Sequence, residues 1–189
     1  MSEKKRKYLA VVLIGLILVS IPVTSLIIGP EELVNRIGLE QGYLLVFIVS
    51  FFAGYSAFTA VSFYTLIISF IAGGLHPLAL GIIAGLSVSL GDLLMYYFWR
   101  RGRELISGKM DQRINRLSAW FQIKQRSKWI PYLSFIYFSI IPLPNDWLLL
   151  FLASIRFPRN KVLLIILLGD LVHVMLLTQL ASKGIQLFG

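Results

Sequence analysis

Residues 129–155 read WIPYLSFIYFSIIPLPNDWLLLFLASI. The stretch is apolar except at its middle, where Pro142, Pro144, Asn145 and Asp146 interrupt it. Proline lacks the N–H that an inner helical turn requires and clashes with the turn before it, so the segment predicts two short helices around a break. Basic clusters flank it on both sides. Arg100, Arg101, Arg103, Lys109 and Arg113 fall in 100–128, and Arg156, Arg159 and Lys161 follow it. Positive residues beside membrane segments stay on the cytoplasmic side, which puts both ends of this stretch on that side. It must therefore enter a bilayer and return. Broken backbone at that depth requires surrounding protein or a water-lined cavity.

Composition agrees with a bilayer setting. The hydrophobic fraction is 57% and the charged fraction 14%, against the roughly half-apolar, quarter-charged balance of soluble domains. The net charge of +9 sits in clusters beside apolar runs, so topology accounts for it before any nucleic-acid partner does. The absence of cysteine excludes disulfides and thiolate metal sites. With only two histidines, a transition-metal site is disfavoured. There is no glycine-rich phosphate loop, no His-Glu-x-x-His and no Gly-x-Ser-x-Gly. The chain reads as a non-enzyme with no cofactor.

Working outward, the other apolar stretches are 8–28, 43–75, 77–99 and 162–182. Lys4, Lys5, Arg6 and Lys7 precede the first. That run is longer than a signal-peptide core and ends in Ile27-Ile28-Gly29-Pro30 without a small-x-small cleavage site, so it reads as a retained span. Residues 29–42 carry Glu31, Glu32 and Glu40 against a single basic Arg36, which places them outside. Residues 43–99 then start outside and finish inside, which demands an odd number of crossings. Since 77–99 makes one good span, 43–75 must leave on the side it entered. It is too long for one crossing and short for two, so a re-entrant hairpin satisfies both constraints.

The expected fold is therefore all-α and integral to the membrane, with the N-terminus cytoplasmic and the plasma membrane as its location. It has three full spans and two oppositely oriented re-entrant hairpins in an inverted repeat, an arrangement common in transporters. Leu90-Gly91-Asp92-Leu93 and Leu168-Gly169-Asp170-Leu171 recur in the two closing spans and support the repeat. The divisions are 1–42 (cytoplasmic tip, first span and outer interfacial helix), 43–182 (membrane domain) and 183–189 (tail). Within the domain, 43–99 is the first repeat, 100–128 a basic loop and 129–182 the second repeat. Pro30, with Glu31 and Glu32 behind it and Gly38 as a stop, predicts a short interfacial helix. Ile106, Met110, Ile114, Leu117 and Phe121, with Lys109, Arg113 and Arg116 on the other face, suit a helix lying on an anionic leaflet or an ordinary basic loop.

Three carboxylates interrupt apolar stretches: Asp92, Asp146 and Asp170. Each costs roughly 2.5–3.5 kcal/mol at a helix centre, so each should face protein or water. Asp92 lies eight residues before Arg100 and Asp170 nine after Lys161, roughly 12–14 Å from the inner boundary at about 1.5 Å per residue. With Asn145 they are the candidate lining of a polar cavity that binds protons, a cation or a headgroup. The alternative makes Asp92 and Asp170 structural, bonded to hairpin backbone or paired with Arg100 and Arg156. His173 is a candidate for a proton relay, or else a packed, hydrogen-bonded histidine. His76, before Pro77, reads as a boundary residue. Arg100 and Arg156 directly end membrane segments, and their guanidinium forks match phosphate oxygens; the plainer reading is a topology signal. Trp99, Trp129 and Trp147 read as interface anchors or packing.

Gly91-Asp92-x-x-x-Tyr96-x-x-x-Arg100-Arg101 resembles the Gly-Asp…Tyr…Gly-Arg segment of the DedA family, also called SNARE-associated or VTT-domain proteins. Ile140 to Ala153, with Pro142, Pro144 and the acid that follows, resembles that family's second re-entrant motif. The resemblance spans roughly 43–182. Three departures mark a divergent member. Residues 56–72, opening Ser-Ala-Phe-Thr-Ala-Val-Ser-Phe-Tyr, hold neither the proline break nor the glutamate usual in the first hairpin. Trp99 stands where the glycine is expected, and Tyr137 stands near where many bacterial members place an arginine.

The resemblance implies lipid movement across a bilayer, as polyprenyl-phosphate carrier recycling or phospholipid scrambling. The expected partners are membrane lipids with phosphate-bearing headgroups, with proton or cation coupling and a homo-oligomer both left open. Two alternatives stand beside it: a proton- or cation-coupled transporter of small solutes, and a non-transporting assembly protein whose basic loop docks a partner.

Overall fold

The computed structural model describes residues 30–53, 57–104, 108–121, 128–141 and 145–188. The expected first span 8–28 and the two prolines of the second break, Pro142 and Pro144, lie outside the described residues. Those described are helical throughout apart from turns, in eight helices: α1 Pro30–Ile37, α2 Leu39–Ala53, α3 Ala57–Ala72, α4 Pro77–Glu104, α5 Gly108–Phe121, α6 Ile130–Ile140, α7 Asp146–Ser154 and α8 Arg159–Phe188.

Local chemistry sets several boundaries. Pro30 opens α1, where its missing N–H costs nothing. Gly38 ends it in the left-handed region at φ 85°, with its N–H on the Val34 carbonyl at 2.8 Å. Pro77 opens α4 in the same way. The turn after α3 is a Schellman motif: Gly74 N–H donates to Ile71 O at 3.1 Å and Leu75 N–H to Phe70 O at 2.9 Å. The turn after α7 repeats it bond for bond. Arg156 N–H donates to Ala153 O at 3.1 Å and Phe157 N–H to Leu152 O at 3.0 Å. In both turns the next residue, Leu75 or Phe157, is buried, as the hydrophobic contact of this motif requires.

The long helices α4 and α8 pack together along the centre. They run antiparallel. Gly81 faces Met175 and Thr178, and Gly85 faces Leu171. Any larger residue at Gly85 would press on backbone, since an added Cβ would sit 3.1 Å from Leu171 Cα. Small residues at such a crossing let two helices approach closely. Gly169 does the same for α6, where a Cβ would meet Phe138 Cβ at 2.5 Å.

The shorter helices pack on this pair in a regular pattern. The first helix of each pair lies on the long helix that follows it: α2 on α4, and α6 on α8. The second helix of each pair lies on the other long helix: α3 on α8, and α7 on α4. Two apolar cores result. One joins Val46, Phe63, Leu66 and Phe70 to Leu80, Ala84, Val88 and Val174. The other joins Phe138, Leu149 and Leu152 to Tyr96, Val162 and Ile166. Residues 89–92 of α4 and 169–170 of α8 fall between them.

The outward faces are apolar too. Leu78, Ile82, Leu86, Leu90 and Leu94 recur every four residues on α4, each 41–49% exposed. Leu164, Leu168, Val172, Leu176 and Leu180 recur at the same spacing on α8, each 39–68% exposed. Water-soluble monomers rarely present continuous apolar stripes of this kind. The apolar portions Pro77–Arg103 and Arg159–Leu187 are long enough to cross a membrane. The expected all-helical architecture is thus present, with two helices of spanning length.

Candidate functional site

The middle of the α4–α8 pair is where polar groups collect. Asp92 and Asp170 occupy matching places in the two Leu-Gly-Asp-Leu strings. In each string the leucine is exposed and the glycine and aspartate are buried; the aspartates are 1% and 2% exposed. Asn145 joins them. Its Nδ2 donates to Asp92 Oδ2 at 2.6 Å and to Asp170 Oδ1 at 3.4 Å.

The local reason lies at the start of α7. Asn145 is the N-cap residue, but its side chain makes no capping bond to its own helix. The cap carbonyl still takes the Leu149 N–H at 2.9 Å, and the amide is left to reach across to α4 and α8. Asp146 follows as the first residue of α7, partly buried. The structure thus brings Asp92, Asn145 and Asp170 into direct contact and sets Asp146 beside them in sequence.

The electrostatics of the cluster are unbalanced. One neutral amide bridges two carboxyl groups and supplies no countercharge, and among the described residues Asp170 Oδ2 is buried without a hydrogen-bond partner. Buried carboxylates are retained at such a cost only when paired, protonated or bound to a ligand. The centre therefore has capacity for a proton, a cation or a hydrogen-bond donor.

Ser89 and His173 extend the polar track. Ser89 lies one turn before Asp92, is buried, and returns its hydroxyl to the Gly85 carbonyl at 2.9 Å. His173 lies one turn beyond Asp170, and its Nε2 meets the Tyr64 hydroxyl of α3 at 3.1 Å. It is both packed and hydrogen-bonded. His76 is exposed beside Pro77 and donates its N–H to the Tyr43 hydroxyl at 3.3 Å.

The arginines lie elsewhere. Arg100 Nη1 donates to the Tyr96 hydroxyl at 2.6 Å and to the Phe157 carbonyl at 3.1 Å. It ties α4 to the turn before α8 rather than pairing with Asp92. Arg156 is exposed and occupies the left-handed region at φ 53°. Arg103, which charge counting did not distinguish from its neighbours, is 3% exposed. It forms an ion pair with Asp111 at 2.8 Å, a bond to Asn115 Oδ1 at 2.8 Å and one to the Ser154 carbonyl at 3.4 Å. Ser118 of α5 donates to the Ile155 carbonyl at 2.9 Å. Together they cap the C-terminal carbonyls of α7 and dock α5 there.

Trp129 and Trp147 are 66% and 73% exposed, while Trp99 packs partly buried on the second core. No group of three or more metal-ligating side chains occurs among the described residues. Comparison with family models, curated proteins and solved structures gave no match.

Proposed function

We propose that this chain carries lipid headgroups across a bilayer, through a polar passage centred on Asp92, Asn145 and Asp170. The observation that carries the reading is this buried cluster of two carboxyl groups that share one neutral donor. It lies halfway along two apolar helices, at the boundary between two cores. Helix α4 has 28 residues and α8 has 30, about 42 and 45 Å at 1.5 Å per residue, enough to cross a hydrocarbon layer of about 30 Å. The paired short helices cannot cross. α6 and α7, with 11 and 9 residues, reach only about 16 and 14 Å. They return within the layer as re-entrant hairpins, and α2–α3 answer them from the opposite side. The exchanged packing, with each second helix on the other repeat's long helix, supports an inverted repeat. With the span that the sequence predicts at 8–28, the proposed topology is three crossings and two half-crossings, the N-terminus cytoplasmic in the plasma membrane.

A headgroup moving along the hairpins would meet polar side chains while its acyl chains stay in lipid. The resemblance to the DedA family points to phospholipid or polyprenyl-phosphate as the cargo. The test is reconstitution in liposomes with a fluorescent phospholipid and an impermeant quencher. The double variant Asp92→Asn, Asp170→Asn should slow translocation about tenfold or more, the loss expected when charge-assisted bonds are removed. Rates equal to those of the parent chain would remove the cluster from the passage.

The unpartnered oxygen of Asp170 favours one second reading, a proton- or cation-coupled transporter of small solutes. It requires solute flux that follows an imposed ion gradient in the same liposomes, without lipid movement.

A further inference from the structure

We propose that the cleft between Arg100, Arg103 and Arg156, where α4 finishes and the turn joins α7 to α8, binds a phosphate group. The cleft holds about 220 Å³ and, among the described residues, is lined by these three arginines and Ala153. Its charge is only partly answered by the protein. Arg103 is matched by Asp111, but Arg100 is held by two neutral oxygens. Arg156 makes no side-chain hydrogen bond or ion pair among the described residues. Two guanidinium charges therefore border the cleft with no carboxylate on them among the described residues. Guanidinium forks match phosphate oxygens two at a time, so a phosphate group is the anion this geometry suits.

The backbone of Arg156 is the second, independent observation. The turns after α3 and α7 are the same motif, yet the left-handed position is Gly74 in one and Arg156 in the other. Glycine closes this turn without strain, as Gly74 shows, whereas a side chain with a Cβ is disfavoured there. Strained positions of this kind persist where the side chain serves a function. Here the strained residue presents its guanidinium to the one face of the turn that already carries Arg100 and Arg103. No such cluster adjoins Gly74 in the sequence, where Leu75, His76 and Pro77 follow.

A phosphate group reaches such a cleft from a lipid headgroup or from solution. The lipid source rests on the headgroup reading above; the anion site itself does not. The full chain in neutral detergent is titrated with short-chain phosphatidic acid and, separately, with inorganic phosphate. Binding and melting temperature are read for the parent, for Arg156→Gly, and for Arg156→Asn, the next residue that tolerates a left-handed turn.

The substitutions should weaken binding about tenfold while the unliganded protein melts at the same or a higher temperature. A response to phosphatidic acid alone assigns the lipid source, and a response to inorganic phosphate alone assigns the soluble one. Equal affinity in parent and folded variants, or no binding of either ligand, overturns the proposal. Translocation is read separately. Binding through Arg156 in a chain that moves no lipid would leave this site standing and end the transport reading.

Discussion

Asn145 is the residue on which the centre depends. Its amide is a donor shared by two buried carboxylates, and among the described residues no other side chain bonds both. Replacing it by leucine, close to it in size, would leave Asp92 and Asp170 facing each other without that donor. The expected cost is about 1–3 kcal/mol, the penalty for orphaning buried polar groups. Adding Asp92→Asn should recover part of it by removing one charge and restoring a donor. Thermal melts of the single and double variants in detergent check this. If the double variant melts below the single one, the bridge is not what stabilises this region. The aspartates themselves were legible in the sequence, because a carboxylate inside an apolar run is conspicuous. Asn145 was legible as a member of the same cavity, but not that its amide bonds both aspartates, since it lies 53 residues from Asp92 and 25 from Asp170.

At the scale of elements, the helix ends were the most readable features. Pro30, Gly38 and Pro77 mark boundaries by backbone chemistry alone, and the structure starts or stops helices at each. The helix α6 ends at Ile140 and α7 begins at Asp146, on either side of Pro142 and Pro144, which lie outside the described residues. The helix α5 occurs at Gly108–Phe121, within the periodic segment that begins at Ile106. Its docking was not readable, because it depends on Arg103 turning inward to meet Asp111 and Asn115. The Schellman turns carry an element-scale prediction. Gly74→Ala forces a Cβ into the left-handed region at φ 95° and should cost about 1–2 kcal/mol. A melting temperature unchanged by that substitution would show that the turn relaxes freely, which would also weaken the argument built on Arg156.

At the scale of the whole molecule, the exchange of second helices between the two long helices is the defining feature. It makes each long helix shared property: α4 carries α2 and α7, and α8 carries α6 and α3. Topology is the property to measure. The chain contains no cysteine, so single cysteines can be labelled without background. Exposed positions Gly74 and Gln112 should label from opposite faces of the membrane, and Arg159 from the same face as Gln112. Labelling of positions 74 and 112 from one face would end the re-entrant reading, because 77–99 would then not cross alone.

Hydrophobic runs, charge placement and backbone punctuation are local properties, and so the sequence alone determined that the chain is helical, where most helices begin and end, and which polar residues interrupt apolar faces. It also marked Asp92 and Asp170 as equivalent, because the strings around them match. Only the tertiary structure decided that the two meet across antiparallel helices through Asn145, that Arg100 holds a turn instead of an aspartate, and that His173 bonds to Tyr64. Those outcomes depend on which helix packs on which. That choice is made by close-packed surfaces such as Gly85 against Leu171 and Gly169 against Phe138, and no linear pattern records it.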